Sequence, residues 1–113
     1  MADIQPVKQN SNTTRTDRYL FEAMGDDDTG LPILVGERAD GSIQVVGTFG
    51  GATVTLQGSN DGATWATLTD EASSGITFTA TGLKMFLPRV WKIRVITAGG
   101  SATDVDAHLL LGS

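Results

Sequence analysis

A catalytic dyad or triad needs a base, and this 113-residue sequence offers one histidine, His108, two positions from Asp106. Residues i and i+2 supply two metal ligands where three or four are needed, so the pair is a poor metal centre. No cysteine is present, which excludes thiolate nucleophiles, disulfides and Cys-based zinc sites. The run Gly25–Gly30, GDDDTG, carries three consecutive carboxylates. Calcium loops space their oxygens at alternating positions and add a distant Glu, so this run reads as a solvated acidic loop. Paired carboxylates for glycoside hydrolysis meet only in space, and a chain this short leaves little room for the cleft they need. Gly99-Gly100 fits no phosphate-cradling spacing. The expectation is a protein that is not an enzyme, with no catalytic residues, no metal and no cofactor.

The elements that would position these groups are strands. Fourteen Gly and fifteen Thr in a chain that is 40% hydrophobic and 19% charged favour a folded, turn-rich β-protein. Its length allows one core between two layers. The organising stretch is Gly51–Asp70, where Val54 and Leu56 alternate with Thr53, Thr55 and Gln57 and the returning strand Thr64–Thr69 carries Trp65. A four-residue loop at Ser59–Gly62, with Gly62 left-handed, would set Trp65 across from Leu56. A five-residue loop at Ser59–Ala63 would set Leu68 across from Val54. The shorter loop is preferred.

Further strands are expected at Asp17–Met24, Leu31–Gly36, Ser42–Phe49, Ile76–Thr79, Gly82–Leu87, Val90–Thr97 and Thr103–Leu111. Arg38–Gly41 reads as an Asp-Gly turn, and Gly50-Gly51 as the turn that makes Ser42–Thr69 a three-stranded meander. In Val90–Thr97 the residues Trp91, Ile93, Val95 and Thr97 point inward, with Lys92 and Arg94 outward. Val105, Ala107, Leu109 and Leu111 do the same in the last strand, leaving Asp104, Asp106 and His108 outward, with Arg94 opposite Asp104 or Asp106. Both tryptophans read as core residues; exposed, either would stack on a sugar or anchor a protein interface. The architecture is all-β, an antiparallel β-sandwich of jelly-roll type over residues 17–113. Residues 1–16 form an extended N-terminal arm in which Pro6 blocks helix and only Ile4 and Val7 can dock. A floppy terminus and an edge strand through Ile4–Lys8 are the other two readings of that segment.

A net charge of −5 disfavours nucleic acid, whose binders neutralise phosphates with clustered Lys and Arg. The charge is uneven: Glu22, Asp26, Asp27, Asp28, Glu37 and Asp40 against Lys84, Arg89, Lys92 and Arg94. Opposite patches suit head-to-tail self-association or a mixed-charge partner, though solvated faces are the ordinary reading. No apolar run reaches the ~20 residues of a membrane span, and the start lacks a signal-peptide core, so synthesis and folding in a cytoplasm are expected.

The run GATVTLQGSNDGATWATLTD, the ITF segment and PRVWKIRVITAGGSATDVDAHLLLG together resemble the decoration, or cement, proteins of tailed-bacteriophage heads over roughly residues 42–112. That resemblance implies a jelly-roll-like sandwich sitting as a homodimer or homotrimer on the virion surface. It would clamp adjacent major capsid protein subunits, with an arm reaching over neighbours. Ile4, Pro6, Val7, Lys92 and Arg94 are then the interaction residues. The same hairpin is also similar to discoidin-like carbohydrate-binding sandwiches, which would imply host adhesion. A neck or tail component of the same virion is a third reading.

Overall fold

The computed structural model describes residues 3–4, 7–9, 16–35, 40–70, 72–87 and 90–112. Twelve strands are found among them: β1 (Asp3–Ile4), β2 (Val7–Gln9), β3 (Thr16–Met24), β4 (Thr29–Gly30), β5 (Ile33–Leu34), β6 (Asp40–Thr48), β7 (Thr53–Ser59), β8 (Ala66–Thr67), β9 (Thr77–Phe78), β10 (Gly82–Phe86), β11 (Lys92–Ala98) and β12 (Asp104–Gly112). They form two sheets. One has the order β10-β6-β12-β3-β2; in the other β11 and β7 lie at the centre, flanked by β4 and β5 on one side and by β8 and β9 on the other, with β1 outside β4. Apart from the parallel β1–β4 pair, the ladders are antiparallel. The expected all-β, jelly-roll-like sandwich is what the chain builds.

The core follows from period-2 burial. Ile43 and Val45 of β6, Val105, Ala107, Leu109 and Leu111 of β12, and Phe21 of β3 meet Val54, Leu56, Ile93 and Val95 of the facing sheet, all essentially without solvent contact. Side chains of this size each contribute about 1.5–3 kcal/mol on full burial. That is why the alternation, once written into the sequence, fixes which face turns inward.

Connectivity departs from the sequence reading at both glycine pairs. Gly50 and Gly51, with φ of 59° and 88°, make the expected turn, but it hands the chain from one sheet to the other. β6 pairs with β10 and β12, and β7 with β11, so the meander is not formed. Phe49 and Ala52 are buried on either side of the turn, which draws the chain through the core edge. Gly99 and Gly100 do the same between β11 and β12. Arg94 therefore lies in a different sheet from Asp104 and Asp106; its ladder partner is Gln57.

Local corrections have local causes. Asp40 and Gly41 open β6, opposite Gly112 and Leu111, and do not form a turn. In β3 the alternation holds to Phe21 and then slips at a bulge, with Ala23 at φ 53° and exposed and Met24 buried. The Asp106 Oδ1 accepts the Ala23 N–H at 2.8 Å, closing the bulge.

The N-terminal segment, where described, lies on its own domain. β1 runs along β4, the Leu31 N–H bonds the Ile4 carbonyl at 2.8 Å, and β2 pairs with β3. Ile4 is half-buried against the core, and in place of one edge strand through Ile4–Lys8 the described residues form two short edge strands, β1 in one sheet and β2 in the other.

Candidate interaction surfaces

The acidic run is exposed at Asp26 and Asp27, as expected, but Asp28 is buried and all three carboxylates bond to the chain itself. Asp26 Oδ1 accepts the Thr103 N–H at 3.0 Å, Asp27 Oδ1 the Gly99 N–H at 2.7 Å, and Asp28 Oδ2 the Gly25 N–H at 2.6 Å. Thr97 Oγ1 completes the clasp, accepting the buried Asp28 N–H at 2.7 Å and donating to the Gly25 carbonyl at 2.6 Å. The Thr103 hydroxyl and then its N–H hold the Asp26 carboxyl below the usual carboxylate value. That hydroxyl proton has a second claimant, the Phe49 carbonyl 2.9 Å away. These carboxylates tie the crossover between β11 and β12 to the end of β3. His108, half-buried, stands between Gln44 and Leu20 on the outer side of its sheet. Among the described residues no three His, Asp or Glu side chains come together as a metal site.

At the other end of β11 the hairpin loop is longer than either expected form. Gln57 pairs with Thr67 and Gly58 with Ala66, which puts Leu68 across from Leu56 and leaves Trp65 in the loop. Side chains do the work that a tight turn would do. Ser59 Oγ accepts the Asp61 and Gly62 N–H groups, while Asp61 Oδ1 accepts those of Ala63 and Thr64 and the Ser59 hydroxyl proton. These donors, the Thr64 N–H foremost, hold the Asp61 carboxyl far below its ordinary value. Gly62 is left-handed, as the sequence indicates, at φ 77°.

Both tryptophans sit on this end, outside the core. Trp91 precedes β11 rather than joining its alternation. Its N–H is taken by the Asn60 side chain at 3.0 Å and its carbonyl by the Val35 N–H, and its ring is 47% exposed. Lys92 Nζ lies 4.3 Å from the Trp91 ring centroid. Trp65, half-buried, is covered by the Arg94 guanidinium at 4.3 Å, and Arg94 Nε donates to Gln57 Oε1 at 2.8 Å. Burial lowers the Arg94 pKa without approaching neutrality. Such stacks contribute about 0.5–1 kcal/mol when exposed and ~2 kcal/mol when desolvated.

Of the five residues expected to bind partners, Lys92 and Arg94 fall together on this aromatic end. Ile4 packs against its own core, Val7 lies in β2, and Pro6 falls outside the described residues. Lys84 belongs to β10 in the other sheet, 5.8 Å from the Phe78 ring, so the basic cluster of the sequence is divided; Arg89 also falls outside the described residues.

A second surface was not singled out from the sequence. On the outer face of the five-stranded sheet Leu83, Met85 and Leu110 are 57%, 63% and 40% exposed. They border a shallow hollow of about 380 Å³ floored by Ser42 and flanked by Asp40. The signal was the outward parity of Leu83 and Met85 around the inward Lys84, which charge alone would reverse.

No protein-family model matches the sequence, and no curated protein matches it. Solved structures do. The SPBc2 prophage-derived protein YomS superposes with a TM-score of 0.67 at 15% identity, over 92% of this chain and 100% of that one. The PBSX exported protein XepA gives 0.63 at 13% identity over 90% of this chain, which spans 40% of XepA. An RmlC-like cupin protein from Desulfovibrio desulfuricans gives 0.52 at 6% identity, over 96% of this chain and 82% of that one. At these identities the likeness defines the class by fold: a jelly-roll-like β-sandwich.

Proposed function

We propose that the chain is a structural protein of a tailed-phage virion, without catalytic activity, that decorates the assembled head and bridges neighbouring major capsid protein subunits. One observation carries the reading: an exposed Trp91 capped by Lys92, beside Trp65 and Arg94, forms an aromatic, cationic surface at one end of the sandwich. Trp and Arg are the side chains that most often dominate protein interfaces. The fold shared with the SPBc2 prophage-derived protein YomS supports it.

Mechanistically, a protein that binds the assembled lattice and not free subunits stabilises the shell by mass action, about 2.7 kcal/mol per site at a free concentration 100 times the Kd. The partner surface that fits is one presenting carboxylates to Lys92 and Arg94. Co-sedimentation with empty heads tests this. Trp91→Ala and Arg94→Ala are expected to weaken attachment by about tenfold each, and attachment at the wild-type level in both variants refutes the assignment.

The exposure of Trp91 also favours a second reading, sugar stacking in host adhesion. Arg94 covers the half-buried Trp65 and Lys92 caps Trp91, whose greater exposure makes it the ring open to a glycan. Glycan-array binding that disappears in Trp91→Ala would replace the capsid reading. Imaging the particle separates a head protein from a neck or tail component.

A further inference from the structure

The geometry points to the outer face of the five-stranded sheet as a two-fold, face-to-face contact between two copies of this chain. Ladder registers arrange that face in rows. Met85, Ser42, Leu110 and Arg18 lie side by side, and Leu83, Gln44, His108 and Leu20 form the next row. Asp40 stands one outward position beyond Ser42 on β6. Two adjoining hollows share Ser42, Leu83 and Leu110. The one of about 380 Å³ is flanked by Asp40, and the one of about 220 Å³ by Arg18 and His108. The face thus sets Leu83, Met85 and Leu110 among the polar Ser42, Gln44 and His108, with the carboxylate of Asp40 on one flank and the guanidinium of Arg18 on the other.

That pattern is complementary to itself. With strands ~4.8 Å apart and ~3.4 Å per residue, Arg18 and Asp40 stand two strands and two residues apart. A two-fold axis lying in the contact plane, running from midway between Leu83 and Gln44 to midway between Ser42 and Leu110, exchanges them. Arg18 of each copy then meets Asp40 of the other and Met85 meets His108, while Leu83, Ser42 and Leu110 lie beside their own counterparts. Such an isologous contact closes on itself and needs no second kind of surface. The strands of the two copies cross steeply, in the orthogonal manner of packed sheets.

Edge pairing is the competing way to join two such sheets, and β10 resists it. Lys84, opposite the buried Ile43, points to the inner side of that edge strand, a charge placement that blocks an added strand. The face remains open. This inference does not depend on the virion reading, because its occupant is the chain itself.

Sedimentation velocity on the full chain over a dilution series tests it. The wild type is expected to dimerise reversibly, and Leu110→Glu and Leu83→Glu to be monomeric with unchanged circular dichroism. Arg18→Glu and Asp40→Arg should each weaken the dimer by about tenfold, and the double reversal should restore it. Trp91→Ala should dimerise normally, which keeps this result separate from head attachment. A wild type that stays monomeric, a dimer indifferent to Leu110→Glu, or a double reversal without rescue overturns the proposal. So does a monomer in which Leu110→Glu abolishes head binding alone, since the face would then belong to the capsid.

Discussion

At one end of the sandwich Asp26, Asp27 and Asp28 direct their carboxylates to N–H groups of the chain itself, whereas on the outer face of the five-stranded sheet Leu83, Met85 and Leu110 face outward. Composition alone announces the reverse, a wet acidic loop and dry leucines. The Gly25 and Thr103 N–H groups are at least partly buried and costly to leave unpaired, and carboxylates are the strongest acceptors within reach. The leucines follow strand parity, which places them outward whatever their hydrophobicity. A charge run can therefore be structural, and an apolar residue on the wrong parity is the better marker of a surface awaiting a partner.

The contrast can be broken by mutation. Thr97→Val should have the largest effect on stability, because it removes the hydrogen bonds that Thr97 Oγ1 makes with the Asp28 N–H and the Gly25 carbonyl, at a cost of about 1–3 kcal/mol. Urea unfolding measures it, and a midpoint equal to wild type would mean the acidic loop is not held as described.

Acid sharpens the same point with a smaller effect. The carboxyls of Asp26 and Asp61 are held below their ordinary value of 3.8 in the folded chain. A depressed folded value means their contribution is fully present above the unfolded value and is lost as pH falls below it through the folded one. The stability gap between wild type and an Asp26→Asn, Asp61→Asn variant should be constant above about pH 5 and narrow below about pH 4. Melts across that range test it; a gap that widens on acidification contradicts the assignment.

The smallest effect is expected on the opposite face. Met85→Ser, at a side chain 63% exposed, should shift the stability of dilute, monomeric protein by no more than about 0.5 kcal/mol. A loss of 2 kcal/mol or more, large for a surface substitution, would show that Met85 belongs to the core.

Much of the fold was legible residue by residue. Val54 and Leu56, Ile93 and Val95, and the series Val105, Ala107, Leu109 and Leu111 were read inward and are inward. The turn at Gly50–Gly51 and the left-handed Gly62 were legible for the same local reason, since only glycine takes positive φ at no steric cost. Trp91 was misread because alternation was run one residue past the start of β11, where the Asn60 side chain already held its N–H. The hairpin register was misread because Ser59 and Asp61 satisfy the loop with side chains, so the loop had no need to close tightly.

The candidate surfaces were less legible than the core. Lys92 and Arg94 were found by charge, but their stacking on two tryptophans needed Trp65 to be brought across the sheet from a loop some thirty residues earlier. The apolar face needed three strands, β6, β10 and β12, to lie side by side.

By itself the sequence determined that the chain is β throughout, where most strands run and which of their faces is buried, because these depend on neighbours along the chain and on a period of two. Only the tertiary structure decided which strands share a sheet. The glycine turns permit either a hairpin or a crossing, and it is the burial of Phe49 and Ala52 around Gly50–Gly51 and the clasp of Asp26, Asp27 and Thr97 around Gly99–Gly100 that select the crossing.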